Sequence, residues 1–108
     1  MRSGDVVLCD FGHPIGSEPG FVRPAVVVTA DDVLRLFNAT LHVVPCTTNV
    51  ARNAMSDVTI DGLAAPTVAQ CHLGMTVSRQ RLAGESTVNV GPVVLRQIRE
   101  VIGDLLDI

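Results

Sequence analysis

An acid, a permanent cation and a hydroxyl stand in two short stretches of this chain. Gly16-Ser17-Glu18-Pro19-Gly20-Phe21-Val22-Arg23-Pro24 is a glycine-bearing loop that delivers Glu18 and Arg23 to the mouth of an apolar run, Ala25-Val26-Val27-Val28. Val43-Val44-Pro45-Cys46-Thr47-Thr48-Asn49 reads as an apolar strand that meets a proline and opens into a hydroxyl-rich turn. These groups can grip and strain a phosphodiester without a metal. A guanidinium binds two phosphate oxygens at once. It also stabilises the negative charge that develops on the phosphoryl oxygens when a neighbouring 2′-hydroxyl attacks. Pro24 biases Arg23 towards extended backbone and so aims its side chain. The plain alternative for Arg23 is a surface arginine paired with Glu18. A threonine hydroxyl at Thr47 can donate to a phosphate oxygen or orient the attacking 2′-hydroxyl. The alternative there is a turn whose threonines satisfy local backbone groups. Glu18 reads as a group that orients Arg23 rather than as the general base, because an exposed carboxylate is a weak base.

The elements that must position these residues are short. Strands are expected over Val6–Phe11, Pro24–Thr29, Thr40–Cys46, Ser56–Ile60, Thr67–Cys71, Met75–Ser78 and Ser86–Val90, from apolar alternation or continuous apolar runs between turn signals. Asp31-Asp32 reads as the cap of a short helix reaching Phe37, with Val33, Leu34 and Phe37 as its apolar contacts. Gly91-Pro92 opens a closing helix, with proline at the first helical position. Leu95, Ile98, Val101-Ile102 and Leu105 recur on one face of it. Gly12 to Val22 is a long loop with three glycines and two prolines in view, the kind that is usually functional or mobile. Many short strands and a terminal helix predict a mainly β protein, a small barrel with a C-terminal α-helix.

Composition narrows the class further. The 108 residues suit a single domain over 1–108, and a hydrophobic fraction of 47% with 18% charged residues argues against disorder. No run of about eighteen apolar residues suggests a membrane span, and Arg2-Ser3-Gly4-Asp5 does not open a signal peptide. Cys9, Cys46 and Cys71 are odd in number and far apart, which fits a reduced, cytoplasmic protein better than a disulfide framework. The three cysteines and His13, His42 and His72 show no close zinc-ligand spacing, so no metal or cofactor is expected. The formal charge of −3 counts against a nonspecific polyanion binder. An RNA site must therefore be a local basic patch, with Arg52, Arg79 and Arg81 as loose charges able to line it. With no Trp or Tyr and three Phe, base stacking has little support in composition. The apolar run Ala25–Val28 and the last helix offer more apolar surface than a small barrel needs, which predicts a homodimer.

Gly4-Asp5-Val6-Val7, the glycine loop with its Arg23-Pro24, and Val43 to Asn49 together resemble the MazF/PemK/Kid family of toxin endoribonucleases, in order and spacing, from Arg2 to the last helix. The resemblance implies an SH3-like barrel that pairs as a homodimer and cleaves single-stranded RNA. It implies no cofactor, and a cognate MazE-like antitoxin that blocks the groove. It makes Arg23 and Thr47 catalytic, with Glu18 beside them, and Ser17, Thr48, Asn49, Arg79 and Arg81 candidates for RNA contact. Some relatives carry a histidine credited with catalysis where Ser17 stands. A third family motif departs: Val68-Ala69-Gln70-Cys71-His72-Leu73-Gly74-Met75 puts His72 where relatives have Asp, Leu73 where they have Gln and Met75 where they have a basic residue. Gln70 stands where some relatives have an arginine. His72 is a candidate acid or base, since imidazole titrates near neutrality. The alternative is a barrel histidine without chemistry. Two other readings remain: a non-enzymatic inhibitor like the CcdB-type barrels that poison gyrase, or a degenerate member that binds antitoxin or RNA without cutting.

Overall fold

Valine-rich segments form the strands here because branched side chains pack well on a pleated surface. The structure, a computed structural model, describes residues 1–37, 39–50, 54–84 and 88–108. Within these, the order is β1 (Asp5–Asp10), β2 (Val22–Val27), α1 (Asp31–Leu36), β3 (Thr40–Thr47), β4 (Asp57–Ile60), β5 (Thr67–Gln70), β6 (Met75–Ser78), β7 (Val88–Asn89) and α2 (Gly91–Leu106). Two single 3₁₀ turns, Cys71–Leu73 and Arg79–Arg81, join β5 to β6 and follow β6. All pairings are antiparallel, in the order β4-β5-β3-β2-β1-β7, with β6 also on β3.

The long strand β3 organises the sheet. One of its edges pairs with β2. The other is shared: Thr40 to Val43 pair with β6, and Cys46 and Thr47 pair with β5. Pro45 is tolerated inside this strand because it falls at the hand-over between β6 and β5, where its missing N–H interrupts no ladder on that side. After β6 the chain crosses to β1, where an isolated bridge joins Leu82 to Cys9. The result is a half-barrel whose open side is spanned at that point.

Alternation along the strands separates two cores. Val7, Cys9, Ala25, Val27, Leu41, Val43 and Val77 line the inside of the half-barrel with Leu34 of α1. The opposite faces of β2 and β3, with Val58, Ile60, Ala69 and Cys71, pack against Leu95 and Ile98 of α2. Val101 and Ile102 complete that helical face at half-burial. Arg99 fastens the helix to the sheet by donating to the Val28 carbonyl at 3.0 Å and to Ser3 Oγ at 2.7 Å.

Several local expectations need correcting. Asp31 is the first residue of α1, not its cap. Ala30 takes the cap position without a side-chain bond, and the Asp31 carboxylate accepts the Ser3 N–H instead. Only Leu34 of that helix is buried; Val33 and Phe37 are exposed. Ala25 to Val28 is consumed by the two cores and leaves no apolar surplus for a partner. The strand expected through Cys71 ends at Gln70, because the chain turns into the 3₁₀ segment there. Of the strand expected over Ser86–Val90, Val88–Asn89 is present, and Ser86 and Thr87 lie outside the described residues, as does Arg52.

Candidate functional site

Register brings the two sequence motifs together. Ala25 opposes Pro45 and Val27 opposes Val43 across the β2–β3 ladder. Continuing that ladder by two residues sets Arg23 opposite Thr47. Side chains alternate along a strand, so both belong to the same face. A cleft of about 160 Å³ opens there, lined by Arg23, Pro24, Cys46, Thr47, Thr48 and Thr67. Arg23 is half-buried, and its Nη1 lies 3.5 Å from Gln70 Oε1, a long hydrogen bond. The cleft therefore holds a permanent cation, and among the described residues its other N–H donors have no hydrogen-bond partner.

Thr47 sits at the end of β3, where the strand gives way to the turn. Its Oγ1 accepts the Asn49 N–H at 3.1 Å. That bond occupies a lone pair and leaves the hydroxyl proton to donate, so the oxygen is held while its donor function stays available. Thr48 and Asn49 are exposed on the rim. Thr67, buried at the start of β5, turns its hydroxyl to the Ala65 carbonyl at 2.9 Å and forms part of the wall.

Glu18 lies elsewhere in the geometry. Its Oε1 accepts the Ile15 N–H at 2.9 Å and its own N–H returns to the Ile15 carbonyl at 3.2 Å. Among the described residues the ion pair present is Arg35–Asp32 on α1, so neither the expected Glu18–Arg23 pairing nor direct orientation of Arg23 by Glu18 is formed here. Ser17 shares the same exposed loop. The loop is closed at its neck by Phe11 N–H to the Phe21 carbonyl at 2.9 Å and Phe21 N–H to the Gly12 carbonyl at 2.7 Å.

The two arginines beyond β6 separate. Arg81 reaches the neck of this loop, where Nη1 donates to the Asp10 carbonyl at 3.2 Å. Arg79 stands by Ala39, at the far end of β3 from Thr47. An eight-residue strand is about 25 Å long, so Arg79 is not brought to the cleft. His72 is also outside the cleft lining; it is exposed, and its Nδ1 is 2.9 Å from Ser56 Oγ.

Sequence reasoning missed Gln70 and Thr67 as neighbours of the cation. A polar residue at each end of the short strand Thr67-Val68-Ala69-Gln70 is ambiguous until the strand is placed beside β3, although Gln70 also stands where some relatives of the resembled family have an arginine. Cys46 also lines the cleft. Its thiol is pushed up to about 12, by burial first and then by the nearby Cys71, with the Val26 backbone and Arg23 pulling the other way. Cys71 is pushed up to about 11, by burial first and then by Asp57. Both remain neutral thiols at physiological pH, so Cys46 is an apolar wall and not a nucleophile.

The raised thiols have a consequence for stability. An unfolded thiol titrates near its ordinary 9.0 and folded Cys46 near 12. Between those values the unfolded chain binds fewer protons than the folded one, so stability falls as pH rises. Below about pH 8 these groups add no pH dependence. The chain has no tyrosine or lysine to titrate in the same window. Urea midpoints should stay level to pH 8 and then fall, with each thiol costing about 1.4 kcal/mol per pH unit. Cys46→Ala should remove one thiol's share; a fall of unchanged slope in that variant would exclude Cys46 as a source.

Comparison with known proteins follows this geometry closely. Residues 2–106 match the family model for the PemK-like, MazF-like toxin of type II toxin-antitoxin systems. The crystal structure of MazF from Deinococcus radiodurans superposes with a TM-score of 0.86 at 22% identity, covering 100% of this chain and 97% of that one. The Mycobacterium tuberculosis toxin MazF-mt6 does so with a TM-score of 0.74 at 23% identity, over 96% of this chain and 97% of that one. An endoribonuclease in complex with its cognate antitoxin, from a mycobacterial species, gives 0.71 at 20% identity, over 100% of this chain and 94% of that one. These structures share the half-barrel with its C-terminal helix, and the family match runs through both strands that build the cleft. The chain is a member of the PemK-like, MazF-like toxin family of type II toxin-antitoxin systems.

Proposed function

We propose that this toxin is an endoribonuclease that cuts single-stranded RNA at a short preferred sequence without a metal, and that a cognate MazE-like antitoxin holds it inactive. The observation that carries this reading is that Arg23 and Thr47 line one small cleft at the end of the β2–β3 ladder. The RNA's own 2′-hydroxyl attacks the adjacent phosphorus, forming the 2′-O–P bond. The P–O5′ bond breaks, and the proton lost by the 2′-hydroxyl is balanced by one gained at the departing 5′-oxygen. The products are a 2′,3′-cyclic phosphate and a 5′-hydroxyl. Arg23 stabilises the charge on the non-bridging oxygens as the phosphorane forms. Thr47 donates to one of those oxygens and fixes the phosphate in the cleft. Glu18 serves Arg23 indirectly, through the loop that its carboxylate fastens at Ile15. Ser17, Thr48, Asn49 and Arg81 meet the strand on either side, while His72 and Arg79, lying away from the cleft, take no part in this reading.

A homodimer accompanies it. With Ala25–Val28 buried, the part of the expected apolar surplus that stays exposed is on α2 and just beyond it, at Val93, Leu106 and Ile108.

Long RNA incubated with the purified toxin in EDTA should be cut at recurring sites, and each downstream fragment should carry a 5′-hydroxyl. Cleavage that stops in EDTA would remove the metal-free reading, and 5′-phosphate ends would remove the 2′-hydroxyl route. Tight RNA binding with no cleavage under any condition would leave a binding protein in its place.

A further inference from the structure

Phe21 is out of keeping with its surroundings. Its φ is +61°, in the left-handed region that bulky residues rarely adopt. The conformation is imposed from both sides, because the Phe21 N–H and carbonyl are the two backbone groups that close the neck of the loop. Gly20 before it lies so close to Pro14 that a Cβ would stand 2.6 Å from the proline ring, which leaves the backbone little room to relax. Such strain persists only where the surrounding structure over-determines it, and it collects at ligand clamps.

What the strain achieves is the display of an aromatic ring. Phe21 is 60% exposed. The His13 ring meets it edge to face, with centroids 5.5 Å and planes 79° apart. An edge-to-face pair uses at most one face of either ring, so a flat π-surface remains open to solvent. Cations flank it. Arg23 is two residues further along the chain, roughly 7 Å in extended backbone. Arg81 Nη1 binds the Asp10 carbonyl and approaches Gly12, whose own carbonyl accepts the Phe21 N–H. An exposed ring whose backbone neighbours carry two arginines suits a single strand of nucleic acid, which presents bases between anionic phosphates.

We propose that Phe21, steadied by His13, is a base-stacking subsite for the nucleotide next to the phosphate held by Arg23. It would give the toxin part of its sequence preference through the stacking strength of that one base. The inference rests on the endoribonuclease reading above and goes beyond it by naming where a base is held.

The probe is a fluorescein-labelled short RNA spanning a mapped cleavage site, with a 2′-deoxy sugar at the attacking nucleotide so that it binds uncut. A matching series carries one abasic position in turn. Phe21→Gly is the informative variant, because glycine adopts φ near +60° without strain. Its melting temperature should equal or exceed that of the wild type, so a loss of binding cannot be put down to unfolding. Against the intact probe, Phe21→Gly should bind about 5- to 150-fold more weakly and Phe21→Trp about as well as the wild type. In the wild type one abasic position beside the scissile phosphate should cost a similar factor. In Phe21→Gly that same position should cost no more than about twofold.

If the losses from Phe21→Gly and from every abasic position multiply independently, the subsite is overturned while RNA binding by the wild type still supports the endoribonuclease. If Phe21→Gly weakens only binding of the antitoxin's toxin-binding peptide, the ring is a protein contact and the proposal is likewise overturned. Failure of the wild type to bind the intact probe would remove both readings.

Discussion

Arg23→Ala is expected to lower RNA cleavage by about 100- to 1,000-fold, the usual effect of deleting one preorganised partner of transition-state charge. The fold should survive. Among the described residues the hydrogen bond of the Arg23 side chain is the long one to Gln70, and Arg23 stands at the mouth of the cleft and not in either core. Gln70 is only half-buried, so water can replace the lost donor. Arg23→Lys should restore part of the rate, because a point charge remains but the two-pronged geometry is lost. The measurement is single-turnover cleavage of a short RNA beside thermal melting of each variant. A folded Arg23→Ala protein that cuts within about threefold of wild type would place the electrostatic catalysis elsewhere.

The second large effect is on stability. Ile98→Ala should cost about 2–5 kcal/mol, the range for emptying a fully buried aliphatic site. For a domain of this size that is roughly 10–25 °C in melting temperature. Ile98 has no exposed surface and sits at the centre of the face by which α2 covers β4, β5 and the Cys71–Leu73 turn. Leu95 and Ile98 are the buried residues of this helix, and the half-buried Val94, Val101 and Ile102 beside them do not fill the site that Ile98 occupies. Arg99 would still tie the helix to Val28, which favours a loosened helix over a detached one. Urea denaturation of both proteins gives the difference directly. A loss under about 1 kcal/mol would mean that the site collapses to fill the space.

The residue types of the candidate site were legible in the sequence; their mutual geometry was legible only in part. Arg23 and Thr47 stand in recognisable stretches, yet only the Ala25–Pro45 register places one opposite the other. Register depends on which face of each strand meets a core, and a continuous run such as Ala25-Val26-Val27-Val28 hides it, because both of its faces are buried. Glu18 looked like a partner for Arg23 because it is close in sequence. A backbone N–H three residues away is closer still, and the loop's own turn claims the carboxylate. The same competition moved Asp31 from its cap role to Ser3. Arg79 and Arg81 share one 3₁₀ turn, yet the Arg79 backbone bonds Ala39 while the Arg81 side chain reaches the Asp10 carbonyl at the loop's neck, a difference that spacing alone does not show. Phe21 gave no signal, since left-handed backbone is foreseen at glycine and not at phenylalanine. The strands and the closing helix were the most legible, because their apolar period is set by burial alone.

The hydrogen-bonded neck between Gly12 and Phe21 makes the enclosed segment a self-contained module. Its ends are pinned to each other, so the sheet beneath feels its closure and not its contents. Doubling the length of such a loop adds only about 0.6 kcal/mol of closure entropy. A lineage could therefore rewrite the residues inside the neck other than Ile15 and Glu18, whose bond fastens the loop, without disturbing the strand that carries Arg23. Under the endoribonuclease reading proposed above, target choice and cutting power could then change on separate tracks within a single small protein.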